Sequence, residues 1–493
     1  MFLDEVGFDY SIDFLKFAQK NTANMEKIIG REYELDLLSR YYGSERPEFI
    51  AVYGRRRVGK TFLVRSFFKD RFDFFATGIL DGTYEEEMES FSQSLVEYGY
   101  QGPRPQNWAQ SFLALNELMS KNKRKKRCVL FIDEVSCFDT PNSGFVKALG
   151  HFWNKYASRQ DNVFLVICGS ATSWMIRKVI NNKGGLHNRR TYEIPLHPFN
   201  LEKTEAFFKA HKSRWSRLSI LQAYMTFGGI PYYLGMLDFR ESLAENIDRL
   251  FFSEDAPMKK EYRRLYRSVF KNPQRYMDII KALSKNRSGL TRTEISNDLK
   301  IESGSGLSDM LEDLVACDFI RSYRNGLKNN GEIYQLIDFY TIFYLQFCEN
   351  SSTDRHFWRN TLGSPMQNTW MGLSFERVCM FHVQEILRAL HLDTIHTEYY
   401  SFRSKEAKPQ VQIDLIIDRS DGHIDIIEVK YSKSVYSMSL EESFKIAHRR
   451  DVFENESKTK KGTQCVLITT FGCTRNENSE VCQKFIQLDD LFQ

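Results

Sequence analysis

Residues 49–61, which read Phe-Ile-Ala-Val-Tyr-Gly-Arg-Arg-Arg-Val-Gly-Lys-Thr, constrain this chain more than any other stretch. Strand-forming residues lead into the pattern Gly-x-x-x-x-Gly-Lys-Thr, and the apolar residues that follow predict a helix. Gly54 and Gly59 permit backbone turns that a Cβ atom would forbid, so that successive N–H groups can point at phosphate oxygens. The helix adds the positive end of its dipole. The stretch therefore predicts a phosphate-binding loop (P-loop) in a nucleotide-binding protein.

The last two residues of this motif carry the predicted chemistry of the loop. Lys60 is expected to reach the β- and γ-phosphates, and the Thr61 hydroxyl is expected to ligate Mg²⁺. ATP and Mg²⁺ are therefore the predicted cofactors. The residues predicted to contact the nucleotide are Gly30, Arg31, Gly54, Arg55, Arg56, Arg57, Val58, Gly59, Lys60, Thr61, Phe62, Ser170 and Pro231.

A second motif, at residues 128–134, supplies two carboxylates. The apolar run Cys-Val-Leu-Phe-Ile ends in Asp133 and Glu134, which is typical of a parallel strand buried on both faces. Ligands of open α/β sheets bind at the carboxyl ends of such strands. We expect Asp133 to hold Mg²⁺ through water and Glu134 to polarise the attacking water. Together with Lys60, these are the predicted catalytic residues for ATP hydrolysis.

Polar residues around the next two strands leave alternatives open. An apolar run ends at Ser170, and either Ser170 or Ser173 senses the γ-phosphate or caps a helix. Arg189 and Arg190 precede a further strand. Either arginine neutralises transition-state charge, within the subunit or across to a neighbour, or both are surface residues.

Two segments are expected near the nucleotide without belonging to the loop. Residues 28–38 open with a turn at Gly30 and continue as an amphipathic helix, which either closes over the adenine or is a plain packing helix. Residues 228–234, Gly-Gly-Ile-Pro-Tyr-Tyr-Leu, end one helix and pre-set the first turn of the next. Pro231 is therefore predicted at the lid of the nucleotide site.

Residues 268–345 predict a winged helix. Three helices are expected, the second opened by a capping box of Thr291 and Glu294, and a hairpin follows over residues 319–336. The third helix carries acidic residues and almost no base, which argues against insertion into the major groove. A lid or interaction role is therefore favoured.

The C-terminal block predicts two antiparallel strands around the turn at residues 420–422. With the turn centred on residue 421, Asp414 falls opposite Glu428, and Lys430 shares the face of Glu428. Opposed carboxylates repel unless a cation compensates them, and Mg²⁺ or Mn²⁺ would do so. Glu376, on a preceding helix, is predicted as a further ligand. The arrangement suits metal-dependent phosphodiester cleavage, and the alternative is a charged, wet hairpin face.

The composition limits the number of domains and the class of protein, but it indicates no mechanism. The 493 residues exceed one hydrophobic core, and a net charge of +4 does not by itself indicate nucleic acid. No stretch approaches the ~20 apolar residues of a membrane span, and no signal peptide is recognised. Nine scattered cysteines indicate reduced thiols, so a cytoplasmic setting without membrane contact is expected.

These motifs together resemble a known family. Residues 30–32, 54–61, 131–134, 168–170 and 229–231 resemble the bacterial and archaeal P-loop ATPases of the STAND branch of AAA-like proteins, and the C-terminal block resembles the PD-(D/E)xK restriction-endonuclease-like domain fused to them. This chain has Gln412-Ile-Asp414 where some members have Pro-Asp. The resemblance implies a multidomain α/β fold, divided into an N-terminal extension (1–24), an ATPase core (25–200), a helical lid (201–265), a winged helix (266–350) and a nuclease-like domain (357–493).

The function implied is an ATP-binding and hydrolysing switch coupled to a metal-dependent nuclease-like domain, with catalytic residues Asp414, Glu428 and Lys430, acting on DNA. The alternative is an ATP-regulated scaffold or DNA-binding protein whose nuclease-like domain does not cut. A nucleotide-dependent homo-oligomer is also left open.

Overall fold

The computed structural model describes residues 28–120, 127–181, 184–186, 189–270, 272–324, 331–349, 354–404, 406–407, 409 and 411–493. The predicted N-terminal extension (1–24) and most of the predicted hairpin turn (325–330) lie outside the described residues.

The first unit is a five-stranded parallel sheet in the order β2-β3-β4-β1-β5. Its strands are β1 (Glu48–Tyr53), β2 (Phe74–Thr77), β3 (Cys128–Asp133), β4 (Val163–Gly169) and β5 (Tyr192–Pro195). Its helices are α1 (Glu32–Tyr42), α2 (Lys60–Phe68), α3 (Tyr84–Glu97), α4 (Trp108–Ser120), α5 (Phe145–Lys155) and α6 (Thr172–Trp174), which continues as a π-helix over Met175–Ile180.

This sheet is covered on both faces, as its apolar strands require. In β1, Phe49 and Ala51 join one buried cluster while Ile50 and Val52 join another. The carboxyl ends of β1, β3 and β4 therefore meet at one edge, where the P-loop and the acidic motif come together.

Five helices follow and form the helical unit: α7 (Leu201–Ala210), α8 (Arg217–Phe227), α9 (Pro231–Leu234), α10 (Leu243–Ile247, continued as a π-helix over Asp248–Phe252) and α11 (Pro257–Arg267). The helix–hairpin unit comes next: α12 (Pro273–Lys285), β6 (Leu290–Thr291), α13 (Arg292–Leu299), α14 (Ser305–Ala316), β7 (Ile320–Arg324) and β8 (Glu332–Leu336). Its three helices, its antiparallel β7–β8 pair and the capping box at Thr291 confirm those expected elements.

The C-terminal domain is a second five-stranded sheet, in the order β13-β12-β11-β10-β9. Strands β9 to β11 are antiparallel, and β11 to β13 are parallel. The strands are β9 (Thr397–Arg403), β10 (Gln412–Arg419), β11 (His423–Lys430), β12 (Gly462–Thr469) and β13 (Lys484–Gln487). The helices that precede or connect them are α15 (Phe339–Phe347), α16 (Phe357–Asn360), α17 (Pro365–Phe381), α18 (Val383–Ala389) and α19 (Leu440–Ser457).

One buried cluster joins all of these units. It includes Val64 of the first unit, Phe227 of the helical unit, Leu314 of the helix–hairpin unit and Phe375 of the C-terminal domain. An ion pair between Arg217 and Asp489, 3.0 Å apart, adds a contact between the helical unit and the C-terminal 3₁₀ turn. Among the described residues, no helix is long and apolar enough to cross a membrane.

Acid should weaken the contact between the helical unit and the C-terminal domain through His382. This buried ring accepts a hydrogen bond from the Leu201 N–H at Nε2 (3.1 Å), and its Nδ1 donates to the Val378 carbonyl (2.8 Å), so it is neutral. Burial lowers the pKa of His382 below its ordinary 6.5.

Below pH 6.5 the unfolded chain therefore binds this proton before the folded chain does. The free energy of unfolding should fall by up to ~1.4 kcal/mol per pH unit until the folded-state pKa is reached. His382→Gln keeps an acceptor for Leu201 and removes the titration, so its melting temperature should drop less between pH 7.5 and 5.5. Equal drops in both proteins would show that His382 does not titrate as inferred.

Candidate active sites

The two P-loop glycines occupy backbone positions that only glycine tolerates. Gly54 has φ +145°, and a Cβ atom there would lie 2.1 Å from the Leu196 carbonyl oxygen. Gly59 has φ +92° and precedes α2, whose first turn closes through the Leu63 N–H to the Gly59 carbonyl (2.9 Å). The loop therefore has the strand–turn–helix geometry that the motif predicts, with its N–H groups at the start of a helix.

Lys60 and Thr61 are held where a nucleotide and its metal ion would need them. Lys60 is buried, and its ammonium group donates to the carbonyls of Gly54 (2.8 Å) and Arg55 (3.0 Å). The Thr61 hydroxyl donates to the Asp133 carboxylate at 2.7 Å. A hydroxyl and a carboxylate in contact are oxygen donors of the kind that Mg²⁺ prefers. The residues present thus fit a Mg²⁺–nucleotide, with Mg²⁺ neutralising phosphate charge when bound.

The two acidic residues at the end of β3, Asp133 and Glu134, have different surroundings. Burial, and then the charge of Glu134, raise the pKa of Asp133 to about 6, which marks a carboxylate that a cation would stabilise. Glu134 has the left-handed φ of 43°. One of its oxygens accepts from the Ser170 N–H (3.1 Å) and from the Ser170 hydroxyl (2.7 Å). Glu134 is therefore positioned by the end of the neighbouring strand.

The alternative of Ser170 as a helix cap is wrong, because the residue before α6 in the N-cap position is Ala171. Ser173 lies 4.0 Å from the Cys317 sulfur, at the helix–hairpin unit. Sensing of the γ-phosphate by Ser170 stays a prediction.

The two flanking segments predicted near the nucleotide both contact the P-loop. Arg31 donates to the Val58 carbonyl (3.1 Å) and to the His197 carbonyl (2.8 Å), and thereby ties residues 30–31 to the loop. On the other side, the N–H of Tyr232, next to Pro231, lies 3.4 Å from the Arg57 carbonyl. The loop is thus framed by the segments that sequence placed beside it.

Three predicted arginine roles change once the partners are known. The Arg55 side chain points away from the phosphate side and pairs with Asp338, so only its backbone belongs to the loop surface. Arg57 pairs with Glu261 at 3.1 Å and stacks on Tyr232. Arg190 is held by Glu193 and the Val179 carbonyl, so a role in transition-state charge neutralisation, within the subunit or across to a neighbour, stays a prediction. Arg56 and Phe62 are partly exposed beside them.

In the C-terminal domain, the β10–β11 ladder has the register that sequence predicted. Leu415 pairs with Ile427, so Asp414 lies across from Glu428 one step further along. The Lys430 ammonium is 3.0 Å from Glu428, and Arg449 from α19 pairs with the other oxygen of Glu428. The Gln412 amide donates to Asp414 at 2.5 Å. The predicted carboxylates and lysine are therefore brought together on one sheet face.

Glu376 belongs to the same neighbourhood. Burial, and then the charges of Asp414 and Glu428, raise the pKa of its carboxyl to about 7. In the described part of the chain, however, no group of three or more His, Cys, Asp or Glu side chains is arranged to hold a metal ion. The expected ligand set is thus not assembled, and Glu428 pairs with two cations, Lys430 and Arg449.

Sequence reasoning missed three residues that define these sites. Asp338 and Glu261 are the partners of P-loop arginines from 283 and 204 residues away, and no local pattern pairs residues at such separations. Arg449 lies on a helix without a motif. Arg449 lies two helical turns after Glu442, and Glu442 approaches Lys430 at 3.7 Å. This spacing is the one signal in the sequence that could have placed Arg449 near the site.

The parallel sheet, the glycine loop, the buried Lys60 and the Thr61–Asp133–Glu134 set define a P-loop ATPase. Residues 28–237 match the family model described as an ATPase domain predominantly from Archaea.

Two relatives and one solved structure are similar to parts of this chain. Over 416 residues the chain is 25% identical to the uncharacterized protein MJECL04 of Methanocaldococcus jannaschii, covering 82% of this chain and 87% of that protein. Over 43 residues it is 40% identical to the uncharacterized ATP-binding protein MJ0423 of the same organism, covering 9% of this chain and 73% of that protein. The Walker-type ATPase PABY2304 of Pyrococcus abyssi superposes with a TM-score of 0.47 and 19% identity, over 65% of this chain and 96% of that one.

Proposed function

We propose that this ATPase is a switch whose nucleotide state controls a metal-dependent, nuclease-like C-terminal domain acting on DNA. The observation that carries the proposal is the grouping of Asp414, Glu428 and Lys430 on one face of an antiparallel pair, with Glu376 close enough to feel both carboxylates. Carboxylates that repel one another at a fixed position are stabilised by a divalent cation. Lys430 is then available to neutralise charge on a phosphate.

The order of elements around this group supports a nuclease-like fold for residues 357–493. Helix α17 precedes the antiparallel β9–β10–β11, and α19 then crosses to the parallel β12. Asp414 lies on β10 and Glu428 lies on β11, which are neighbouring strands of this sheet. We also propose the STAND assignment and the remaining domain boundaries, which are 25–200 for the ATPase core, 201–265 for the helical lid and 266–350 for the winged helix.

Engagement of Glu428 by Lys430 and Arg449 favours a second candidate function, in which the C-terminal domain binds DNA or protein without cutting it. In that case the two cations replace the metal ion permanently. In the nuclease, Glu428 would have to release Arg449 in order to hold a Mn²⁺ ion together with Asp414.

The helix–hairpin unit is proposed as a winged helix that serves as an internal lid. Helix α14, in the position of a recognition helix, carries Asp313, which pairs with Arg177 and accepts from Tyr276 (2.7 Å). These contacts direct the helix toward the ATPase sheet instead of toward a DNA groove. A cytoplasmic location and a nucleotide-dependent homo-oligomer complete the proposal.

Metal binding by the full-length chain tests the nuclease directly. Asp414→Ala and Glu428→Ala each remove an oxygen ligand, so in calorimetry without nucleotide both should abolish Mn²⁺ binding at the C-terminal site, and both should abolish all DNA cleavage. Lys430→Ala should keep Mn²⁺ binding and still stop cleavage, because it removes charge from the phosphate side alone.

Asp418→Ala is the matched control. Asp418 lies on the same strand as Asp414 but next to the turn of the hairpin, where it pairs with Lys461. This variant should bind Mn²⁺ and cut as the wild type does. If the wild-type chain binds no Mn²⁺, the non-cutting candidate replaces the nuclease.

A further inference from the structure

The side chain of Arg55 leaves the P-loop and ends inside the protein. Its guanidinium and the carboxylate of Asp338 are each 2% exposed and lie 2.8 Å apart. The guanidinium also stacks over the ring of Phe319, 4.7 Å from its centre. Asp338 follows β8 and precedes α15, so a residue of the phosphate-binding loop is anchored to the end of the helix–hairpin unit.

A gain in stability is a weak explanation for this arrangement. A buried ion pair must be dehydrated, and an apolar pair of similar shape often stabilises a fold as well or better. Among the described residues, Nε and Nη2 of Arg55 have no hydrogen-bond partner, which adds a further penalty. A cavity of about 20 Å³ adjoins Arg55 and Asp338, with room for one water molecule. A costly buried charge on the phosphate-binding loop itself favours a role in that loop.

The backbone of the same residue contacts the catalytic lysine. The Lys60 ammonium donates to the carbonyls of Arg55 and Gly54. The β- and γ-phosphates compete for the same ammonium protons when a nucleotide binds. Arg55 therefore has its main chain at the phosphate side and its side chain fixed by Asp338.

Asp338 is itself held firmly from the other side. Its second oxygen accepts from the Thr341 hydroxyl (2.6 Å) and N–H (3.3 Å), which caps α15. The ring of Phe343 on α15 packs against Trp370 of α17, with the ring centres 5.5 Å apart. The anchor of Arg55 is thus the N-cap residue of a packed helix, with hydrogen bonds to both carboxylate oxygens.

We propose that Arg55 is a positioning residue for ATP hydrolysis, which holds the first turn of the P-loop in its reactive geometry through Asp338. Arg55 touches no substrate. Arg55 can be held in this way only while the helix–hairpin unit is docked against the ATPase sheet. Docking of that unit is therefore required for turnover. The inference concerns the ATPase reaction and does not depend on whether the C-terminal domain cuts DNA.

Paired substitutions separate positioning from stability. Arg55→Met and Asp338→Asn each leave one buried charge unpaired, so each should lower the melting temperature. The double variant removes both charges, while asparagine still caps α15, so it should recover most of the melting temperature. Its kcat should nevertheless remain at least about tenfold below wild type, with the Kd for ATP changed by no more than about threefold, because misplacement affects turnover more than binding.

Arg55→Lys gives a second measurement that does not depend on recovery by the double variant. It keeps the charge and should stay folded, but it lacks the planar group that stacks on Phe319, so kcat should again fall. As a matched control, Arg359→Met with Asp248→Asn removes another ion pair between units (2.8 Å, Asp248 3% exposed) and should leave kcat unchanged.

Recovery of wild-type kcat in the double variant, or wild-type kcat in Arg55→Lys, would overturn the proposal and make the pair purely structural. Weakened ATP binding with unchanged kcat would overturn it as well, since Arg55 would then act in binding.

Discussion

Lys60→Ala should bind ATP at least ~100-fold more weakly than wild type and hydrolyse none. Hydrogen bonds to charged groups contribute roughly 1.5–3 kcal/mol each, and the ammonium offers at least two to the β- and γ-phosphates. The rest of the site is made of backbone dipoles, which cannot replace a full charge. Calorimetry with ATP and Mg²⁺ measures the affinity, and phosphate release measures turnover.

Lys147→Ala is the matched control, since Lys147 is an exposed lysine on α5 of the same unit. It should bind and hydrolyse ATP normally. Removal of Lys60 also frees the carbonyls of Gly54 and Arg55, so circular dichroism should accompany the measurement. Unchanged ATP affinity in a folded Lys60→Ala protein would contradict the assignment of the loop.

Glu134→Gln should bind ATP normally and lower kcat by roughly 10²–10⁴-fold, the range for loss of a general base. Glutamine keeps the shape and can still accept hydrogen bonds from Ser170, so the site should stay intact. What it loses is the charge that polarises water. Single-turnover hydrolysis with bound nucleotide separates this step from binding.

Asp133→Asn should have a different effect from Glu134→Gln. Asp133 accepts a hydrogen bond from Thr61, the other predicted Mg²⁺ ligand, so this substitution should weaken the Mg²⁺-dependent part of ATP binding. Glu85→Gln, an exposed carboxylate on α3, should change neither quantity. Normal turnover in Glu134→Gln would mean that another group activates water.

Local sequence was sufficient wherever chemistry and backbone geometry coincide in one short stretch. The φ values of Gly54 and Gly59, the contact of Thr61 with Asp133 and the capping box at Thr291 all arise within a motif or from strands that end at a common edge. The register that opposes Asp414 to Glu428 followed from the turn alone. Each of these depends on spacing, which a sequence displays.

What sequence missed depends on contacts between distant units. Arg55 was expected to contact the nucleotide as part of the loop, and its side chain pairs with Asp338 because the docked helix–hairpin unit offers a buried carboxylate there. Arg449 reached Glu428 only because α19 crosses the sheet at that point. The same tertiary contact places a cation on one of the predicted carboxylate ligands. Pairings of this kind are set by how units pack, which no periodicity encodes.

Control of DNA cleavage by nucleotide is the central claim, and nicking of supercoiled DNA by the full-length chain in Mn²⁺ tests it most directly. The rate should be compared with and without ATP in wild type, Glu134→Gln and Asp414→Ala. Nicking should require Asp414, and its rate should change by at least about fivefold when ATP is bound and held by Glu134→Gln, the lower end of allosteric coupling. Nicking at the same rate with and without ATP, or nicking that persists in Asp414→Ala, would contradict the account.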